Sequence, residues 1–373
     1  MQLSGEQEAI RKAVRDFAVE ELQPIARECD EEARFPEEVW DGLADLDLTG
    51  MTVPEEYGGF DADPVTYAVV NEQVAYGTLA VATALSVHCL ATSCIAGFGD
   101  EEQRERWLPE MVSGRPVGAF CLSEPGAGSN PAQMTTTAER DGDEWVIDGD
   151  KQWITNGSRA GVYIVFAKTG EDAITQFVVP GEADGLTVGP KEDKMGLRAS
   201  DTTSLTFDGV RIPEGNRLTE EGRGLSAALS ILTGGRIGIA AQAVGVAQDA
   251  LDRTVEYVKE REQFGQPIGE IQAVRHKLAD METTTQSGRL LTREAARKKG
   301  EGSPDTAHFA SMAKRVASEG AMDVTNEAIQ LHGGYGYTSE FDVERLYRDA
   351  KITTIYEGTT QIQKTVIARG LLD

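Results

Sequence analysis

Apolar residues recur every three or four positions through most of the chain and give way to alternation only in its middle. In GEQEAIRKAVRDF, Ile10, Val14 and Phe17 fall on one helical face, and Ser4 with Gln7 three residues on forms a capping box. Pro24, Pro36 and the stretch VPEEYGGFDADP (53–64) interrupt this region. From Tyr67 to about Phe98 the chain is apolar and rich in Ala, Ser and Thr, which predicts buried helices in close contact. The texture changes near Gly118. Short runs such as EWVI, KQWIT, VYIVFAK and TQFVV follow, separated by the turn dipeptides Asp141-Gly142, Asp148-Gly149 and Asn156-Gly157, a pattern of antiparallel hairpins. After Arg223 helical periodicity returns in two long segments, a third opened by Ser303-Pro304-Asp305, and a last one after Gly358. Short connections between long helices predict antiparallel neighbours and hence a four-helix bundle. The expected fold is multidomain α+β, with an N-terminal α-helical domain (1–117), a central antiparallel β domain (118–223) and a C-terminal bundle (224–373).

Composition narrows the function. The chain of 373 residues is 40% hydrophobic, and no stretch approaches the roughly 18 unbroken apolar residues of a membrane span. The first residues are amphipathic and unlike a signal peptide, so a cytoplasmic protein without a membrane span is expected. Cys29, Cys89, Cys94 and Cys121 form no Cys-x-x-Cys pair and read as reduced, mostly buried thiols; the four histidines never fall at the i, i+4 spacing of a helical zinc site, so no metal is expected. A net charge of −26 argues against binding nucleic acid or anionic membranes. Acid excess spread along the chain, with lysine scarce, resembles cytoplasmic proteins of salt-accumulating halophiles, and predicts loss of structure in low salt.

Candidate chemistry sits in a few segments. No Gly-x-Gly-x-x-Gly follows a predicted strand and no P-loop occurs. In FCLSEPGAGSN (120–130), Pro125, Gly126 and Gly128 leave the backbone bare for an anion such as a pyrophosphate, with Ser123 and Ser129 as hydroxyl donors; a surface turn would look similar. In KQWITNG (151–157), Trp153 and Thr155 share one face of a strand, where an indole could cover a planar ring, although an ordinary half-buried Trp is the plainer reading. REQFGQPI (261–268) and QLHGGYGYTSE (330–340) offer Arg261 for a phosphate and Gly333-Gly334 for close backbone approach, which bundle geometry alone could also require. Finally, Glu357 is the only charged residue in ITTIYEGTTQIQ (352–363). Poor solvation there would raise its pKa and make it a strong base.

Taken in order, LSEPGAGS, WITNG, REQFGQPI, QLHGGYGY, RDAKI and IYEGTTQIQ resemble the acyl-CoA dehydrogenase family, and the resemblance spans essentially the whole chain. It implies a homotetramer, or sometimes a dimer, with FAD between the β domain and the bundle. By resemblance Phe120, Leu122, Ser123, Gly128 and Ser129 line the flavin, and Trp153 and Thr155 pack on its ring. Arg261, Gln263, Phe264, Gln330, Gly333 and Gly334 resemble residues that reach the FAD of a neighbouring subunit, and Thr359 and Gln361 match contacts to its adenosine half. Glu357 matches the base that takes the α proton of an acyl thioester, and Ser129, Arg236, Tyr356 and Gly358 fall near the substrate. The product implied is a trans-2-enoyl-CoA, and the electrons pass to electron-transferring flavoprotein.

Departures from the family pattern refine this. Some members carry the base one residue before the Arg of the segment matching TGGRIG, where this chain has Gly235, which leaves Glu357 as the base. Asn130 stands where Asp is common. Ala82 stands where the glutaryl-CoA branch has Arg, which disfavours a dicarboxylyl substrate, and Tyr356 stands where the isovaleryl branch has Gly, which disfavours strong branching. A saturated short- to medium-chain acyl-CoA is the expected substrate. The alternatives are an oxidase or monooxygenase on the same scaffold, or a non-catalytic protein that has lost its cofactor.

Overall fold

The computed structural model describes residues 2–372; the first and last residues of the expected outer domains, 1 and 373, lie outside the described residues. The capping box forms as expected: Ser4 Oγ accepts from Gln7 N, and Gln7 Oε1 accepts from Ser4 N, both at 3.1 Å. They start α1 (Gly5–Phe17), which continues through a π-helical turn, Ala18–Leu22, into α2 (Gln23–Glu31). A short α3 (Trp40–Asp45) precedes α4 (Pro64–Gly77), α5 (Leu79–Phe98) and α6 (Glu101–Val112). Asp63 caps α4, its carboxylate accepting from Val65 N and Thr66 N. Helix α5 is long and apolar enough to cross a membrane by length and composition, yet its side chains are buried within the protein, where it packs on β1 (Val117–Cys121) and on the first bundle helix.

The middle of the chain forms one seven-stranded sheet. Its further strands are β2 (Thr137–Asp141), β3 (Glu144–Thr155), β4 (Ala160–Lys168), β5 (Ile174–Pro180), β6 (Leu186–Lys191) and β7 (Thr202–Pro213). The β2–β3, β4–β5 and β6–β7 pairs are antiparallel neighbours in sequence, and β3–β7 is a long antiparallel pair. To these β1 adds in parallel, alongside β4. Asp141-Gly142 makes the expected β2–β3 turn, with Gly142 at φ +70°. The second dipeptide does not. Asp148-Gly149 lies inside β3, which stays paired with β7 on both sides of it. A Cβ on Gly149 would stand 2.7 Å from the Cα of Thr136, so the glycine serves a close crossing of backbones, not a reversal.

Three long helices return the chain up and down: α7 (Gly224–Glu260), α8 (Gln272–Gly300) and α9 (Thr306–His332). A small hairpin, β8 (Glu262–Gln263) and β9 (Gln266–Pro267), joins the first two. Between α9 and the last helix, α11 (Thr360–Leu372), lies an additional short helix, α10 (Val343–Ile352). Its Val343, Leu346 and Ala350 are buried at helical spacing, and Arg345 pairs with Asp349 one turn on. Helix α10 is also where the three parts of the chain meet. Arg348 pairs with Asp30 of α2 at 2.7 Å, and Asp349 accepts the backbone N–H of Leu197 from the β region.

Candidate active site

Glu357 lies in the irregular segment between α10 and α11. Its φ is +52° and that of Gly358 is +89°. A left-handed backbone costs a glutamate roughly 1–2 kcal/mol, so something must hold it there. Three side chains do. Lys314 of α9 donates from Nζ to Thr353 O (2.9 Å) and Gly358 O (2.8 Å). Ser318, one turn later, donates to the same Thr353 oxygen (2.9 Å), and Gln363 of α11 donates to Gly358 O (2.8 Å).

The carboxylate so presented is poorly satisfied. The residue is only partly exposed, and its Oε2 is buried with no hydrogen-bond partner. That oxygen faces α7, where a Cβ on Gly235 would come within 3.0 Å of it. Burial pushes the carboxyl up to about 7, and the charges of Lys314 and Arg236 restrain the rise. Arg236 is 8% exposed, and its Nε finds no acceptor. Beside Glu357, the Tyr356 hydroxyl lies 3.3 Å from both Gln242 Oε1 and Thr83 Oγ1.

A second cluster joins the two segments with flavin-type motifs. Gln152 N donates to Ser123 O at 3.0 Å, and the buried pair Lys151–Glu124, 2.8 Å apart, staples the 122–127 loop to β3. Glu124 also accepts from Thr135 N and Thr136 N. Beyond this staple β3 bulges, its register with β7 slipping between Lys151 and Ile154, and Trp153 turns out at φ +62° with 61% of its surface exposed. The bulge interrupts the plain strand alternation expected for Trp153 and Thr155. Above Gly126 and Gly128 there is open space, and Phe120 packs on Phe166 with ring centroids 4.9 Å apart. Asn156 ties this cluster to α5 by donating to Ala84 O at 3.0 Å, one residue from the Thr83 that meets Tyr356. The 151–157 segment and Tyr356, which precedes Glu357, therefore meet the same turn of α5.

The third pair of segments forms a separate, exposed patch. Arg261 lies over the Tyr335 ring at 5.4 Å, Phe264 is 92% exposed at φ +56°, and Gln263, Gln330, Gly333 and Gly334 are all at the surface. Among the described residues no hydrogen bond or ion pair joins this patch to the second cluster. Thr359 Oγ1 accepts from Ile362 N and starts α11, and Gln361 is exposed.

Family models cover nearly the whole chain: the acyl-CoA dehydrogenase N-terminal domain matches residues 4–115, the middle domain 119–210 and the C-terminal domain 222–372. The chain belongs to the acyl-CoA dehydrogenase family. The mitochondrial short-chain specific acyl-CoA dehydrogenase of Bos taurus is 44% identical over 377 residues, covering 100% of this chain and 91% of the relative. The solved butyryl-CoA dehydrogenase of Megasphaera elsdenii matches with a TM-score of 0.97 and 42% identity, over 100% of both chains. A chain solved in work on the electron transferring flavoprotein of Acidaminococcus fermentans and flavin-based electron bifurcation matches with a TM-score of 0.97 and 39% identity, over 100% of this chain and 99% of that one. Acyl-CoA dehydrogenases are FAD flavoproteins, and the exposed indole and open glycine backbone beside it suit a planar, phosphate-bearing cofactor.

Sequence reading missed four residues that build this acyl-CoA dehydrogenase site: Glu124, Lys151, Lys314 and Ser318. For the last two a signal existed. They lie on the stripe of α9 that also carries the buried Ala310, Ala313, Ala317 and Ala321, where a solvent-facing lysine does not belong.

Proposed function

We propose that this acyl-CoA dehydrogenase converts a saturated short- to medium-chain acyl-CoA to the trans-2-enoyl-CoA, with Glu357 removing the α proton. The observation that carries this reading is the unpartnered, sealed Oε2 of Glu357 with its carboxyl raised to about 7. A base near neutrality is matched to abstracting a weakly acidic carbon-bound proton. The Glu357 backbone N–H makes no hydrogen bond among the described residues and is free to polarise the thioester oxygen, which draws charge off the α carbon. Arg236 and Lys314 keep the carboxylate ionised enough to act. Bound FAD supplies the acceptor for the β hydrogen. Phe120, Leu122, Ser123, Gly128, Ser129, Trp153 and Thr155 would hold it from one copy, with Arg261, Gln263, Phe264, Gln330, Gly333, Gly334, Thr359 and Gln361 serving the FAD of a neighbouring copy in a homotetramer.

The butyryl and short-chain names among the relatives support a short substrate, and Tyr356, held by Gln242 and Thr83, keeps a bulky wall beside the base that suits an unbranched chain. The match to the Acidaminococcus fermentans chain supports electron-transferring flavoprotein as acceptor. The protein is read as cytoplasmic and salt-adapted, the second on its net charge of −26. The test is anaerobic mixing of the yellow holoenzyme with butyryl-, octanoyl-, isovaleryl- and glutaryl-CoA. Fast bleaching by the unbranched monoacyl thioesters is expected. Bleaching by none of them refutes the reading, and stoichiometric hydrogen peroxide in air favours an oxidase instead.

A further inference from the structure

We propose that Lys314 is a positioning residue for the base: from α9 it clamps both ends of the Glu357 segment and holds that residue in its left-handed conformation. This rests on the reading of Glu357 as base. The lysine is 1% exposed, and burying an ammonium is unfavourable unless strong acceptors match it. The matches here are specific. Thr353, whose carbonyl takes one N–H, is the C-cap of α10, the negative end of that helix. Gly358, whose carbonyl takes another, directly follows the base. Two bonds from one atom thus close the 353–358 segment around Glu357, whose left-handed backbone would otherwise relax.

The charge acts on the same group. Facing Glu357 are Arg236 from α7, Lys314 from α9, Tyr67 from α4 and Tyr356 from its own segment, and Lys299 of α8 ends beside Gly234. Burial drives both tyrosine hydroxyls far above their ordinary range, so they stay neutral. Lys314 is the larger of the two cationic influences on Glu357, ahead of Arg236. Burial pushes its own ammonium down to about 8, against the attraction of Glu357. Removing that charge must raise the carboxyl further and move the acid limb of turnover to higher pH.

The experiment compares wild type, Lys314→Met, Lys314→Arg and Glu357→Gln as FAD-loaded enzymes, reading kcat against pH together with amide hydrogen exchange over 354–358. For Lys314→Met the expected results are an acid limb displaced upward by about one pH unit, kcat lowered about tenfold, and faster exchange in the segment, with FAD content unchanged. Lys314→Arg keeps the charge and leaves the limb in place. Should the Met variant fail to fold, Lys314→Gln, which retains a donor without the charge, is expected to shift the limb in the same direction. Either an unmoved limb or unchanged exchange overturns the proposal. If Glu357→Gln still turns over, the proposed function falls, and the exchange measurement alone decides the clamp.

Discussion

A Cβ placed on Gly235 would stand 3.0 Å from Oε2 of Glu357, closer than the two atoms can rest without one of them moving. The glycine on α7 therefore sets how far the base can lean toward that helix. Gly235→Ala should leave the helix intact and displace the carboxylate by a few tenths of an ångström. Catalytic geometry is sensitive on that scale, so kcat is expected to fall about tenfold, with FAD content unchanged. Steady-state kinetics with butyryl-CoA beside the flavin absorbance of the purified variant checks this.

The raised carboxyl of Glu357 has a catalytic and a stability consequence. In the free enzyme kcat/KM should rise with pH through about 7, where the base becomes ionised. For stability the sign is opposite. The folded state holds a proton that the unfolded chain, with an ordinary carboxyl, releases at lower pH, so stability declines as pH rises from about 4.5 through about 7. Glu357→Gln removes this penalty and should be more stable than wild type at pH 8 by at most about 3 kcal/mol, the difference vanishing below pH 4.5. Thermal melts of both proteins across that range measure it.

The Glu124–Lys151 pair should behave as a buried staple. Burial alone would raise the Glu124 carboxyl, but the Lys151 charge and the hydrogen bonds from Thr136 and Thr135 outweigh it and hold the group at about 2. Its contribution is present above the ordinary carboxyl range and is lost only as pH falls toward 2. Lys151→Met strands the carboxylate and is expected to cost about 3–5 kcal/mol and to loosen FAD, whereas Lys151→Met combined with Glu124→Gln should recover much of the stability. Urea melts of the single and double variants, with FAD retention on gel filtration, decide it.

Much of this site was legible in the sequence because its parts are short and contiguous. The capping box at Ser4, the turn at Asp141-Gly142 and the isolated Glu357 each announce themselves within a few residues. What escaped depends on contacts far apart in the chain. Asp148-Gly149 has the composition of a turn, but its glycine is needed because Thr136 crosses beneath it, and no local pattern carries that. Lys314 precedes Glu357 by forty-three positions, and its role appears only once α9 lies against the 353–358 segment. Likewise β1 adds to β4 in parallel across a long connection, which alternation within either strand cannot reveal.

The net charge of −26 bears on stability as a whole. Self-repulsion of that size weakens the compact state, and added salt screens it. The melting temperature is expected to rise between dilute buffer and molar KCl. A temperature that stays constant across that range removes the salt-adapted reading without touching the chemistry of Glu357.

The most direct measurement is stopped-flow mixing of butyryl-CoA with FAD-loaded wild type and Glu357→Gln under anaerobic conditions, following the yellow absorbance. Rapid bleaching of wild type is expected, with a Glu357→Gln variant that binds FAD normally but bleaches slower by a factor of at least about 10³. A variant that bleaches at close to the wild-type rate would show that some other group takes the α proton.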